Sequence, residues 1–160
     1  MPITTRLFFD GRVNTEKEYT LLNLKPYSAI VLALAGLILA GMGLYFIFLR
    51  PSLLPEDLNY MSSTLQNVKE NIPGLLNWLQ KVFWVMGGYI FTTGLLTVFI
   101  SFTSFRTRLR GVFSIVAMAG ISSIGSMTVV NFIIVSDFKW HLLIFTLPWA
   151  IALILYTLPK

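Results

Sequence analysis

Between Lys25-Pro26 and Arg50-Pro51 the chain reads YSAIVLALAGLILAGMGLYFIFL, Tyr27 to Leu49, without one Asp, Glu, Lys or Arg. Crossing ~30 Å of hydrocarbon at ~1.5 Å per residue takes about 20 mainly apolar residues in helical form. A single segment in lipid can satisfy its own peptide groups only as a helix. The run also exceeds the apolar core of a secretory signal and ends without a small-residue cleavage pattern, so it reads as an uncleaved span.

Outward from this stretch, three more qualify. Val82–Phe105 lies between Lys81 and Arg106, and Gly111–Ser136 lies between Arg110 and Asp137. His141–Pro159 carries Pro148 near its middle, which membrane helices tolerate when neighbours re-satisfy the freed carbonyl. Composition agrees: of 160 residues 56% are hydrophobic and 12% charged, with a mean hydropathy of +0.75. Soluble domains carry roughly 25% charged residues to face water. These figures exclude a soluble globular enzyme, a disordered chain and a secreted disulfide scaffold. The expected fold class is all-α: a polytopic membrane protein whose residues 1–160 form one domain, a four-helix bundle with an amphipathic helical outer loop between helices 1 and 2. Its parts are a tail (1–25), spans at 27–49, 82–105, 111–136 and 141–159, the outer loop (50–81), a basic turn (106–110) and an outer turn (137–140).

Orientation follows from where Lys and Arg fall. Eight of the twelve lie on the side of the tail and the second connection, including the dense Arg106-Thr-Arg108-Leu-Arg110 turn, which holds no acidic residue. That side is expected to be cytoplasmic, with both termini there and the 50–81 loop outside. An integral protein of a plasma or bacterial inner membrane is expected. The formal charge of +5 flanks apolar spans, so anionic lipid headgroups explain it better than nucleic acid.

The outer loop reads as two short helices. Pro55-Glu56-Asp57 marks a helix start, with proline in the first turn and carboxylates at the positive end of the dipole. Leu58, Met61, Leu65, Val68 and Ile72 follow as one apolar stripe, ended by Pro73-Gly74, and Leu75, Leu76, Trp78 and Leu79 lead into the second span. The stripe must lie on lipid, anchored by Trp78 and Trp84, or cap the bundle. In the tail, Asp10-Gly11 between β-prone residues signals a hairpin.

Chemistry-bearing residues are sparse. Cysteine is absent and His141 is the single histidine, whereas metal sites usually gather three or four side-chain ligands. No catalytic residue, metal site or cofactor is expected. Ala29, Ala33, Gly36, Ala40 and Gly43 recur at spacings of four and three, a small-residue face that lets another helix approach closely. It is a helix-packing groove or a partner's docking groove. On the second span Gly87, Gly88 and Gly94 accompany a hydroxyl row, Thr93, Thr97, Ser101 and Ser104. This row is a polar path for a neutral solute or, more simply, packing glue. On the third span Ala119, Ser122, Ser123 and Ser126 form another small face, so spans one, two and three are expected to pack through these faces. Ser122 and Ser123 cannot be a nucleophile with His141 as base, because about half a membrane thickness separates them. An enzyme would have to use the outer rim, where Glu56, Asp57, Asp137 and His141 could converge.

The sequence Gly87-Gly-Tyr-Ile-Phe-Thr-Thr-Gly-Leu-Leu96, after a long loop that begins Arg50-Pro-Ser-Leu-Leu-Pro-Glu-Asp57, resembles small four-helix bacterial inner-membrane proteins of the DoxX-like kind. The resemblance covers the order of spans and implies the four-helix architecture. Some of that group are linked to quinone-dependent redox systems, but no redox motif is matched here and no functional residue carries over. The expected function is a non-enzymatic accessory or scaffold subunit that binds membrane lipids, further copies of itself or another membrane protein. The alternative is an oligomeric transporter or channel for a neutral small molecule.

Overall fold

The computed structural model describes residues 24–158, which form helices and turns with no strand among them. The tail hairpin lies outside the described residues. Helix α1 spans Leu24–Phe48, and two short helices follow, α2 at Pro55–Tyr60 and α3 at Leu65–Asn71. Helix α4 runs Leu75–Phe105, α5 runs Val112–Ile133 and α6 runs Lys139–Thr157. These last three and α1 are long and apolar enough to cross a membrane. The architecture is an all-α, four-helix membrane bundle.

Helix α1 is central. It packs most extensively on α4 and next on α6, while α5 packs mainly on α6. Ala29, Leu32, Ala35 and Leu39 of α1 meet Val116 and Ile124 of α5 and Leu142, Trp149 and Ala152 of α6 in the main core. Spans one and two do pack through their small faces. The serine face of the third span does not join them, because Ser122 and Ser126 are exposed.

The α1–α4 contact is an antiparallel seam in which glycines let the two backbones approach closely. A Cβ on Gly36 would lie 2.9 Å from the Gly94 carbonyl oxygen and from the Val98 backbone nitrogen. One on Gly94 would run into the Ala40 backbone, one on Gly43 into the Phe91 backbone, and one on Gly87 would lie 2.8 Å from the Gly43 carbonyl oxygen. Lipid tails are as apolar as leucine, so helices associate in hydrocarbon through close van der Waals approach, and glycine permits the closest.

A second seam joins α5 and α6. The Trp149 indole donates to the Val116 carbonyl at 3.0 Å, in space a Cβ on Gly120 would occupy. Further along, the Thr128 and Thr146 hydroxyls share a 3.0 Å hydrogen bond. Pro148 sits inside α6 without ending it.

Helix boundaries differ from the sequence reading in ways that have physical causes. Helix α4 begins at Leu75 rather than at 82, and its 31 residues make it about 45 Å long, longer than the hydrocarbon. Near its start the Lys81 ammonium lies 3.7 Å from the centre of the Trp84 ring. The expected single stripe from Leu58 to Ile72 is broken: α2 stops at Tyr60, Ser62 takes a left-handed φ of 51°, and Thr64 recaps α3 by accepting the Asn67 N–H at 3.2 Å. Val68 alone of the stripe is buried, and Met61, Leu65 and Ile72 are exposed. Helix α5 ends at Ile133, which leaves Ser136 in a turn rather than in the span.

Two π-turns also escaped the pattern, Ser101–Phe105 at the end of α4 and Ile121–Gly125 in the middle of α5. Both coincide with hydroxyl-rich segments whose side chains bond back to the helix. Ser101 donates to the Val98 carbonyl at 2.6 Å, Thr103 to Phe99 at 2.9 Å, Ser122 to Met118 at 2.8 Å and Ser123 to Ala119 at 2.5 Å. Such side chains supply the donors that a widened turn withdraws from its carbonyls.

Gly94→Val and Gly43→Leu should each lower stability by about 1–3 kcal/mol through overpacking of the α1–α4 seam. Gly41→Ala and Gly88→Ala, where an added Cβ meets nothing within 4 Å, should not destabilise and should gain up to about 1 kcal/mol from helix propensity. Thermal unfolding in one detergent checks all four.

Candidate functional site

The small-residue groove of α1 is filled by the chain itself. Ala33 and Ala40 are buried, and Gly36 and Gly43 face α4 at backbone distance. No groove is left along these residues for a second protein's helix.

The hydroxyl row of α4 is satisfied locally. Thr93 donates to the Tyr89 carbonyl and Thr97 to the Thr93 carbonyl, both at 2.8 Å, and Ser101 donates to Val98. Thr97 and Ser101 are buried. The hydroxyl protons of Thr93, Thr97 and Ser101 are thus directed at their own helix, the arrangement expected of packing rather than of a solute path. Asn131 of α5 behaves alike, donating to the Met127 carbonyl at 2.9 Å.

Polar chemistry gathers instead at the two ends of the bundle. At the loop end, α2 turns its first-turn carboxylates inward. The Asp57 carboxylate accepts the Leu54 N–H at 2.9 Å, satisfying one of the donors a helix start leaves orphaned, and pairs with Arg50 at 3.4 Å. The Arg50 guanidinium lies 3.7 Å from the centre of the Phe83 ring and 5.3 Å from that of Phe46. Burial pushes this guanidinium below its ordinary pKa, and Asp57 opposes the shift. The cation stays charged, since arginine does not lose its proton in proteins.

Glu56 is 8% exposed. Its carboxylate accepts a 2.9 Å hydrogen bond from the Ser136 hydroxyl, and Ser136 in turn accepts the Phe138 N–H at 3.1 Å. Eighty residues apart, these two groups tie the loop after α1 to the turn between α5 and α6. Ser52 adds a 3.1 Å bond to Gln80. The loop end is therefore capped by α2, while the exposed apolar residues of α3 face outward.

The enzymatic constellation is not assembled at this rim. Glu56 is committed to Ser136 and Asp57 to Arg50, while Asp137 and His141 are exposed. Among the described residues no three His, Asp or Glu side chains group as a metal site would require. The Glu56–Ser136 latch was invisible in sequence. Its one hint was a glutamate in the first turn of a helix otherwise free to face water.

At the opposite end lies the Arg106–Gly111 turn. Arg106 and Arg110 are exposed, and Arg108 is half-buried. Arg108 takes a left-handed φ of 54°, and its guanidinium carbon lies 4.8 Å from the centre of the Tyr156 ring. Comparison with protein-family models, curated proteins and solved structures finds no match for this chain.

Ser136→Ala should cost about 1–3 kcal/mol, because it strands a buried carboxylate and a backbone N–H. Glu56→Gln, which keeps an acceptor for the hydroxyl, should cost less. A double-mutant cycle read by thermal unfolding checks the latch: additive losses would show that the two groups are energetically uncoupled.

Proposed function

We propose that this chain is a non-enzymatic integral membrane protein, an accessory or scaffold subunit that binds a membrane protein or lipid. The observation that carries this reading is the division of labour within the fold. The membrane body is tied up in its own packing, with its glycine groove filled and its hydroxyls bonded back. The groups left to meet other molecules are the arginines of the turn and the apolar flanks of the spans. Such a surface suits binding.

The positive-inside distribution supports placing the Arg106–Arg110 turn and both termini in the cytoplasm. A bacterial inner membrane of DoxX-like company rests on the span order and the Gly87–Leu96 sequence alone. The bonding of Thr93, Thr97 and Ser101 speaks against the alternative of an oligomeric neutral-solute transporter, since a path needs hydroxyls free to exchange partners.

The reading is tested by native mass spectrometry of the protein drawn from its host in mild detergent, together with flux assays in liposomes. A second polypeptide at fixed stoichiometry, or retained lipid, with no flux of neutral solutes is the expected result. Solute flux that falls on Thr97→Val or Ser101→Ala would overturn it in favour of transport.

A further inference from the structure

The turn between α4 and α5 carries three arginines in five residues, and no carboxylate among the described residues is bonded to any of them. The acidic residues among the described ones are Glu56, Asp57, Glu70 and Asp137, all on connections at the other end of the bundle. Among the described residues, then, positive charge here has no internal counterion.

Arg108 differs from its two neighbours. Its backbone is left-handed, a conformation unfavourable for a non-glycine residue that persists only when the surroundings impose it. The Phe105 carbonyl accepts the Arg108 N–H at 3.1 Å and the Ser104 carbonyl accepts the Leu109 N–H at 3.1 Å, pinning the turn. The guanidinium rests over Tyr156, which is itself held against Phe105 at 4.6 Å and Phe113 at 5.6 Å between ring centres. Phe105 is fully buried, so this aromatic platform is part of the core.

The platform encloses Nε of Arg108, which has no hydrogen-bond acceptor among the described residues. The terminal nitrogens Nη1 and Nη2 also have no acceptor among the described residues. A guanidinium held over an aromatic ring presents a positioned fork. Forks of this geometry recognise the paired oxygens of a phosphate. Arg106 and Arg110 flank the fork in the open, and Leu109, exposed among them, offers an apolar contact such as an acyl chain takes.

We infer that the Arg106–Arg110 turn is a binding site for an anionic phospholipid, with Arg108 on its Tyr156 platform engaging the headgroup phosphate and Arg106 and Arg110 supplying surrounding charge. A juxtamembrane cation attracts anionic lipid generally. The platform makes Arg108 a fixed recognition element and not one charge among several. The inference rests on the lipid half of the proposed function. A stoichiometric protein partner recovered without lipid would end this inference and leave the accessory reading intact.

The test is native mass spectrometry of the full chain in detergent, titrated with phosphatidylglycerol or with phosphatidylcholine of the same acyl chains. Phosphatidylglycerol should be retained over phosphatidylcholine. Arg106→Ala and Arg110→Ala should each weaken its retention by about fivefold, the effect of one interfacial charge, and Arg108→Ala by clearly more. Arg108→Lys, which keeps the charge and loses the fork, should fall well below the parent. Tyr156→Phe should retain the lipid and Tyr156→Leu should not, with the unfolding midpoint confirming that each variant is folded. Equal retention of the two lipids, equal losses at all three arginines, or displacement of the lipid by millimolar inorganic phosphate would overturn the site.

Discussion

Everything else in this protein depends on the direct approach of two backbones, α1 against α4. In water, burial of apolar surface would hold two such helices together, but in a bilayer that force is absent, because the surrounding lipid is equally apolar. What remains is dispersion, which accumulates only when atoms come within contact distance. Gly36, Gly43, Gly87 and Gly94 remove the side chains that would hold the backbones apart. Helix α6 packs on α1 of this pair, and α5 packs mainly on α6.

The second pair is built on a different device. Gly120 opens room for the Trp149 indole, which both fills space and donates to a carbonyl of α5. An indole buried in the core of the bundle needs that acceptor, since an unpaired N–H there is costly. The two pairs are then joined at the loop end by Glu56 and Ser136 and at the turn end by the Phe105–Tyr156–Phe113 ring cluster. Polar and aromatic clamps sit at both ends of a body held together mainly by shape.

The spans were legible because hydrocarbon imposes a one-dimensional rule, a minimum run of apolar residues between charged flanks. The small-residue face of α1 was legible for a related reason, since helical periodicity places Ala33, Gly36, Ala40 and Gly43 on one side. Its occupant was not, because a groove of glycines suits any closely approaching helix. The stripe from Leu58 to Ile72 misled for the opposite reason: periodicity continued across Met61–Thr64, while Ser62 and the capping Thr64 broke the backbone. The π-turns left a trace, clustered Ser, Thr and Gly within an apolar span, but the same clusters occur in unbroken helices.

The sequence by itself determined the class of environment, the number of spans and the distribution of charge about them, since each depends on local composition summed along the chain. The tertiary structure alone decided which face meets which: that α4 fills the groove of α1, that the serines of α5 turn outward, and that Glu56 finds Ser136. It also decided that Arg108, one of three similar arginines, lies on an aromatic platform. These are pairings between residues far apart in the chain, and they arise from the packing of whole helices, where shape complementarity selects among faces that composition leaves equivalent.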